Sequence, residues 1–390
     1  MECECRLSHL ILTNFRNYQE ARLSFSPKVN CIVGANAQGK TNLLEALYFL
    51  STGRSFRTPH LFHLIRREAP FFSLEAHFVK ENVAQALKIT YDGKTRRILH
   101  NQTSLRSLSQ LFGILPVVIY SPDDVQLITG APAKRRRFLD IHISQYDPLY
   151  LAHLVRYFQA MKQRNHLLKS QEEASLSIWE EQMARSGAYL IEKRKEALIT
   201  LCVPLQRNLA LLSGQKETID LAYHTSFPVG QKEEFAALLA KGREKERRLG
   251  STLIGPHRDD LFLSLNSQEA RLYASEGQKR CCACSLRLAE WQLLKERLGV
   301  SPLFCIDDFG VHLDEMREKF LKEALFPLGQ LFLTSPKPLS FCETKERRHF
   351  HIREGAVMVS DGAKKPVPEE TLYGSALFPL ATEQIAQAAD

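Results

Sequence analysis

The sequence predicts an α/β fold in which two sequence-distant halves close into one head, with a helical segment inserted between them. Three observations carry that prediction. A short β-rich run, Val29–Val33, leads straight into a glycine-containing loop and then into a helical pattern over Asn42–Leu50. From Lys134 to about Ser213 the chain is Pro-poor and helical in period. Strand-like runs then return, and one of them, Leu303–Ile306, ends in two acids, Asp307 and Asp308.

Taken in order, His9–Asn14 is an apolar strand candidate, a polar turn follows at Arg16-Asn17-Tyr18, and Ala21–Phe25 alternates until Pro27 breaks it. Phe71–Asp92 holds further strands with a turn at Asp92-Gly93, and Leu115–Tyr120 is a buried strand. Ser121-Pro122-Asp123-Asp124 opens a helix, with proline early and carboxylates in its first turn. In the helical stretch, Leu154, Phe158, Met161 and Leu168, then Trp179, Met183, Ser186 and Leu190, fall at 3–4 spacing and predict the packed face. The charged, Gly-flanked segment Lys241–Gly250 is expected to be a link. After it, strands are expected at Leu261–Leu265, Leu303–Ile306 and Gln330–Thr334. The expected domains are therefore 1–132, the first half of the head; 133–250, a helical arm; 251–360, the second half of the head; and 361–390, a peripheral tail.

At 390 residues, 44% hydrophobic and 25% charged, the chain has room for two lobes and the make-up of a soluble globular protein. A formal net charge of +8 favours an anionic partner such as nucleic acid, although a basic soluble enzyme has the same balance. No apolar run approaches the roughly 20 residues a membrane helix needs. The opening MECECRLSHL lacks the apolar stretch of a signal peptide. The nine cysteines form no disulfide framework and no paired zinc knuckles, so they are expected as reduced thiols in a cytoplasmic protein.

Gly34-Ala35-Asn36-Ala37-Gln38-Gly39-Lys40-Thr41 matches the phosphate-loop pattern GxxxxGK[ST], or Walker A. Such a loop turns backbone N–H groups toward phosphate, and the positive end of the following helix adds to them. Lys40 is placed to reach the β- and γ-phosphates of ATP, and the Thr41 hydroxyl to ligate Mg²⁺. The strand ending at Asp307 is a Walker B candidate: Asp307 is expected to hold Mg²⁺ directly or through water, and Asp308 to orient the attacking water. Between them, Ser275, Gly277 and Gln278 stand at a helix start, where a hydroxyl, an amide and the helix end can bind an anion. In ABC-type ATPases a signature at this place binds the γ-phosphate held by the opposite subunit, whereas a monomeric kinase or GTPase has no use for it.

Several further blocks make the chain resemble the RecF family across most of its length. They are Leu12-Thr13-Asn14-Phe15-Arg16-Asn17-Tyr18; the phosphate loop continuing as Asn42-Leu43-Leu44-Glu45-Ala46; Arg54–Thr58; Ser121–Asp124; Arg135-Arg136-Arg137-Phe138-Leu139-Asp140; and Gly255-Pro256-His257-Arg258-Asp259-Asp260-Leu261. The resemblance implies an ABC-type head with a helical second domain, ATP-dependent homodimerisation, slow ATP hydrolysis and DNA binding. It also implies work with RecO and RecR in loading the recombinase at single-strand gaps, with links to the SOS response and replication restart. The DNA would be single-stranded, gapped or a junction.

The sequence departs from that family at Ala37, where glycine is common, and at Phe56, where histidine is usual. It departs again at Val311-His312 of the D-loop, at Thr334-Ser335-Pro336, and at the cysteines 281–284 after the signature. Lys134–Arg137 and Lys241–Arg248 are the basic runs available for DNA phosphates, unless they are simply solvated or structural faces. Two other readings stay open: an SMC- or Rad50-like chromosome or break-end ATPase, which would need far longer coiled coil, and a P-loop enzyme such as a kinase or an ABC-headed nuclease.

Overall fold

In the computed structural model, residues 4–172, 175–225, 232–310, 315–325, 327–339 and 346–360 are described. The chain opens with strands β1 (Cys5–Phe15), β2 (Tyr18–Ser24) and β3 (Val29–Val33) and helix α1 (Lys40–Thr52). A run of strands follows, β4 (Phe72–Lys80), β5 (Val83–Tyr91), β6 (Arg96–His100), β7 (Thr103–Ser104) and β8 (Val117–Tyr120). Next come helices α2 (Gln126–Thr129), α3 (Pro132–Ser144), α4 (Pro148–Ser170) and α5 (Leu176–Ser213), then β9 (Ile219–His224) and α6 (Lys232–Leu249). The last part holds β10 (Asp260–Leu265), β11 (Gln268–Glu269), α7 (Ala270–Tyr273), α8 (Glu276–Leu298), β12 (Leu303–Ile306), α9 (Glu315–Leu325), β13 (Leu331–Ser335), β14 (Arg347–Arg353) and β15 (Ala356–Ser360).

The two halves of the sequence meet in one six-stranded sheet of order β15-β14-β3-β13-β12-β8. Its strands β14, β3, β13, β12 and β8 pair in parallel. Alternate residues face different cores. Val118, Tyr120, Phe304, Ile306, Leu331 and Leu333 belong to the cluster containing α8 and α5. Val117, Ile119, Leu303, Cys305 and Phe332 belong to the cluster containing α1 and β1. A parallel sheet covered on both faces favours apolar residues at every position, which is why LFCI reads as an unbroken apolar run and VNCIV is broken only by Asn30, whose side chain bonds Ser26 and the Leu331 carbonyl. The antiparallel sheet β2-β1-β4-β5-β6-β7 covers one side, and its strands alternate, as in β4 with its pattern of buried and half-buried residues.

Two expectations for the helical region need correction. The segment Lys241–Gly250 is not an open link: up to Leu249 it is the second half of α6. Phe235 and Leu239 bury one face of that helix against α4 and α5, Arg243 bonds the buried Glu180, and Glu246 pairs with the buried Arg164 at 2.6 Å. Those partners lie far away in sequence, so a run of charges conceals an amphipathic helix. The packed face of α4 is also rotated from the expected stripe: Tyr150, Tyr157, Ala160, Arg164 and Leu168 are buried, while Phe158 stays 41% exposed. Arg164 and Arg194 both sit in the core of this region because carboxylates and carbonyls satisfy them there, and a periodicity count that scores arginine as polar misses them.

Strand β9 had no sequence signal strong enough to predict it. It pairs with β10 over Ile219–Leu265 through Tyr223–Leu261 to His224–Asp260, so backbone pairing crosses the expected boundary at residue 250.

Candidate nucleotide site and signature surface

The phosphate loop joins β3 to α1. Gly34 lies so close to the backbone carbonyl of Ile352 on β14 that any Cβ would clash. Gly39 takes φ +116°, which disfavours any L side chain, and packs on the Asn17 amide. Ala37 adopts φ 65° despite its Cβ, so the sequence departure places a strained residue in the loop at a cost of about 1 kcal/mol. The loop is held from outside. The Asn17 amide donates to the Gln38 carbonyl at 2.8 Å, the Tyr18 hydroxyl to the Gly39 carbonyl at 3.0 Å, and the Gly355 N–H to the Gln38 carbonyl at 3.1 Å. With these carbonyls engaged, exposed Ala35, Asn36 and Ala37 form the open rim, and the start of α1 has no side-chain cap. Such an end offers N–H donors and a positive dipole to an anion.

Lys40 is buried, and its ammonium donates to the carbonyls of Gly34 and Ala35 at 2.8 and 2.9 Å. Burial lowers its pKa, against the opposing pull of Asp308 and Asp307. The neighbouring Thr41 hydroxyl lies 2.9 Å from both carboxylate oxygens of Asp307, at the tip of β12. Thr334, on β13, donates to the same carboxylate at 2.7 Å and accepts from the Asp308 N–H at 2.8 Å. Burial raises the Asp307 pKa, Asp308 adds to that, and the hydroxyls of Thr334 and Thr41 with Lys40 oppose it. A hydroxyl and a buried carboxylate converging beside an ammonium form a hard-oxygen donor set that fits a small divalent cation next to a phosphate chain. Thr334 is a residue whose part the sequence reading did not foresee. Its only trace was as the first residue of Thr334-Ser335-Pro336, where it keeps the family's usual threonine, and its partner lies 27 positions upstream.

A second connected group supports α1. Buried Glu45 accepts from Arg16 at 2.8 and 2.6 Å and from the Ser55 hydroxyl at 2.5 Å. Arg57 reaches Asn42 at 2.7 Å, and Asn42 donates to Asn17 at 2.8 Å. The blocks Leu12–Tyr18 and Arg54–Thr58 thus meet around α1 and the loop. Phe56 packs edge-on against Tyr48, with ring centroids 5.6 Å apart.

The signature lies elsewhere on the chain's surface. Ser275 caps α8, accepting from the Gln278 N–H at 3.3 Å while the Gln278 side chain accepts from the Ser275 N–H at 2.7 Å. This is a complete capping box. Ser275 is exposed, and Leu272 and Tyr273 just before it are 64% and 67% exposed. The guanidinium of Arg317 lies over Gly277. Ser275, Gly277 and Gln278 are therefore not brought onto the Lys40–Thr41–Asp307 cluster by any hydrogen bond of the described residues. Cys281, Cys282 and Cys284, which follow the signature, are buried in the core and act as small apolar side chains; burial pushes the Cys282 thiol up to about 12. The D-loop departure, 311–314, and the tail 361–390 lie outside the described residues.

Parts of both basic runs are structural. Arg135 is buried and grips Asp260 with two bonds of 2.8 Å, and Arg136 donates to the Asp259 carbonyl at 2.6 Å. Tyr157 and His257 bond at 2.7 Å, and Arg194 donates to the Pro256 carbonyl at 2.7 Å. The block Gly255–Asp260 is thus a packing node joining α3, α4 and α5. In the second run Arg243 and Arg248 are engaged by Glu180 and Glu244.

Comparison with known proteins agrees with this architecture. The family described as the RecF/RecN/SMC N terminal domain matches residues 6–347. The DNA replication and repair protein RecF of Protochlamydia amoebophila is 46% identical over 338 residues, which cover 85% of this chain and 94% of that protein. RecF of Chlamydia abortus is 38% identical over 363 residues, covering 91% and 98%. A solved structure of the recombination mediator protein RecF with ATP, from the RecFOR pathway, superposes with a TM-score of 0.85 at 30% identity, covering 92% of this chain and 98% of that one. An Smc head domain of Pyrococcus furiosus shares the fold with a TM-score of 0.54 at 17% identity, covering 91% of this chain and 96% of that chain. The ABC-type ATPase head, assembled from both ends of the sequence around a helical insertion, and the extent of these matches lead to one assignment: the chain belongs to the RecF family.

Proposed function

We propose that this chain is an ATP-switched DNA-binding protein that pairs with a second copy when ATP is bound and so acts in repair at single-strand gaps. The observation that carries the proposal is the contact between the Thr41 hydroxyl and the Asp307 carboxylate, 2.9 Å apart and 266 residues distant in sequence. It joins a phosphate loop to an acid that would otherwise be buried at a cost. In this reading Gly34–Thr41 cradle the phosphates, Lys40 neutralises the β- and γ-phosphates, Thr41 and Asp307 hold Mg²⁺, and Asp308 orients the attacking water. Mg²⁺ held there would supply positive charge to offset the charge of the phosphates. The partner copy contributes Ser275, Gly277 and Gln278 to the far end of the triphosphate, since Ser275 is exposed and Ser275 and Gln278 cap their own helix rather than bonding their own loop. The ATPase activity is then slow and works as a timer, stimulated by DNA.

The finer division of labour follows the family. Residues 1–132 and 251–360 form the ATPase head and 133–250 the arm. The partners are single-stranded, gapped or junction DNA together with RecO and RecR, in recombinase loading that feeds the SOS response and replication restart. Support comes from the relatives described as replication and repair proteins and as a recombination mediator of the RecFOR pathway. Light scattering with and without ATP tests the switch: the wild type is expected to dimerise with ATP, and Lys40→Ala to stay monomeric. Equal dimer fractions with and without ATP sink the proposal.

A further inference from the structure

A cavity of about 630 Å³ opens between the first helical turns of the arm and the loop after α1, away from the phosphate loop. Its volume is that of a ligand pocket. Arg54, Arg136, Arg137 and Lys162 line it together with the apolar side chains Leu151, Leu154, Val155 and Phe158 of α4. Arg136 and Arg137 each donate once to a backbone carbonyl, of Asp259 and Ser55. None of the four cations is ion-paired among the described residues. Asp140 is the one carboxylate among the lining residues described, and it is already bonded by Arg194 at 2.8 Å and by Tyr150 at 2.5 Å. Burial and the neighbouring Arg194 pull the Arg136 pKa down from its ordinary value, against the opposing pull of Asp260, Asp140 and Asp259. Val155 and Phe158, at 47% and 41% exposure, are large apolar groups left facing solvent at its wall; they account for the rotation of the α4 packed face.

We propose that this cavity docks an acidic peptide segment of a partner protein, one bulky apolar side chain entering against Leu154, Val155 and Phe158 while flanking carboxylates meet Arg54, Arg136, Arg137 and Lys162. Charge complementarity selects an anionic occupant. The chemistry of the wall selects a peptide among anionic occupants. Ile141, Leu151, Leu154 and Val155 make the wall mainly aliphatic, with Phe112 and Phe158 as its aromatic side chains. A mainly aliphatic wall beside four cations suits an apolar anchor flanked by carboxylates better than the polar, aromatic-platform surfaces that bind nucleic acid. A buried apolar anchor ringed by charge pairs is how peptide interfaces concentrate their binding energy. The inference does not depend on ATP binding or on dimerisation.

The test is selection of a random dodecapeptide display library on the full-length protein, counter-selected on the Phe158→Ala, Lys162→Glu double variant. Both residues are exposed, so the variant is expected to melt like the wild type. The expected result is enrichment of peptides with acids flanking an aromatic or large aliphatic residue. Synthetic copies should bind each single variant about tenfold more weakly than wild type by fluorescence anisotropy. Enrichment of nothing over the double variant, or of sequences without acids, overturns the proposal. So does displacement of the peptide by a twelve-nucleotide oligothymidylate that itself requires Phe158, which would make the cavity a nucleic-acid surface.

Discussion

The phosphate loop and the signature are both anion sites built at the start of a helix, yet the chain treats them in opposite ways. At the loop, α1 begins without a side-chain cap, and Lys40 and Thr41 in its first turn converge with Asp307 at the tip of β12. At the signature, Ser275 and Gln278 cap α8 completely, and Ser275 stands in solvent beside exposed Leu272 and Tyr273. An open helix end beside a buried carboxylate offers N–H donors to an anion and oxygens to a cation. A capped end on an apolar surface is stable as it is and suits a role played toward another copy. The difference explains how one chain can hold nucleotide alone and still require a second copy to enclose it.

The sharpest way to break the comparison is Ser275→Arg. If the signature acts across the dimer, ATP-driven dimerisation measured by sedimentation equilibrium weakens by about 100-fold, because an arginine at a close interface adds bulk and charge. ATP affinity of the monomer by calorimetry stays within about twofold. A parallel loss of monomer affinity would move the signature into the chain's own site. Asp307→Asn tests the other region. It should abolish ATP hydrolysis yet stabilise the fold by about 1 kcal/mol in urea unfolding, since a desolvated charge is removed where Thr41 and Thr334 can still bond an amide. The sign with pH follows from the raised Asp307 pKa. The folded state binds its proton more tightly, so the carboxylate's contribution is most favourable below its unfolded pKa of about 3.9 and is lost as pH rises through the folded value. The advantage of the asparagine is therefore present at neutral pH and disappears near about pH 3.5. A stability loss at neutral pH would show that Asp307 is held as a structural anion instead. The smallest effect is expected for Ala37→Gly. Relief at φ 65° is partly offset by the entropy of glycine, leaving a gain below about 1 kcal/mol in the urea midpoint.

Local chemistry made the loop and the strands readable in advance. GxxxxGKT needs only its own spacing to be recognised, and a strand buried on both faces shows as an unbroken apolar run. Even the strain at Ala37 could be anticipated from a missing glycine. The arm was harder. Its packed face includes Arg164 and Arg194, whose partners come from four other elements, and the charged half of α6 looks like a linker until Glu180 and Arg164 are placed beside it. The basic run Lys134–Arg137 raised nucleic acid as an expectation, and tertiary structure turned Arg135 into a buried ion pair with Asp260.

By itself the amino-acid sequence determined the alternation of an α/β half, a helical stretch and a second α/β half, the phosphate loop, the acid pair after β12 and the helix start at Ser275, because each depends on contacts within a few residues. Only the tertiary structure decided that Thr334 completes the Asp307 cluster, that α4 turns Phe158 outward into a basic cavity, and which arginines are buried. Those outcomes depend on groups 16 to 125 residues apart reaching hydrogen-bond distance, and charge compensation of that kind leaves no period in the sequence.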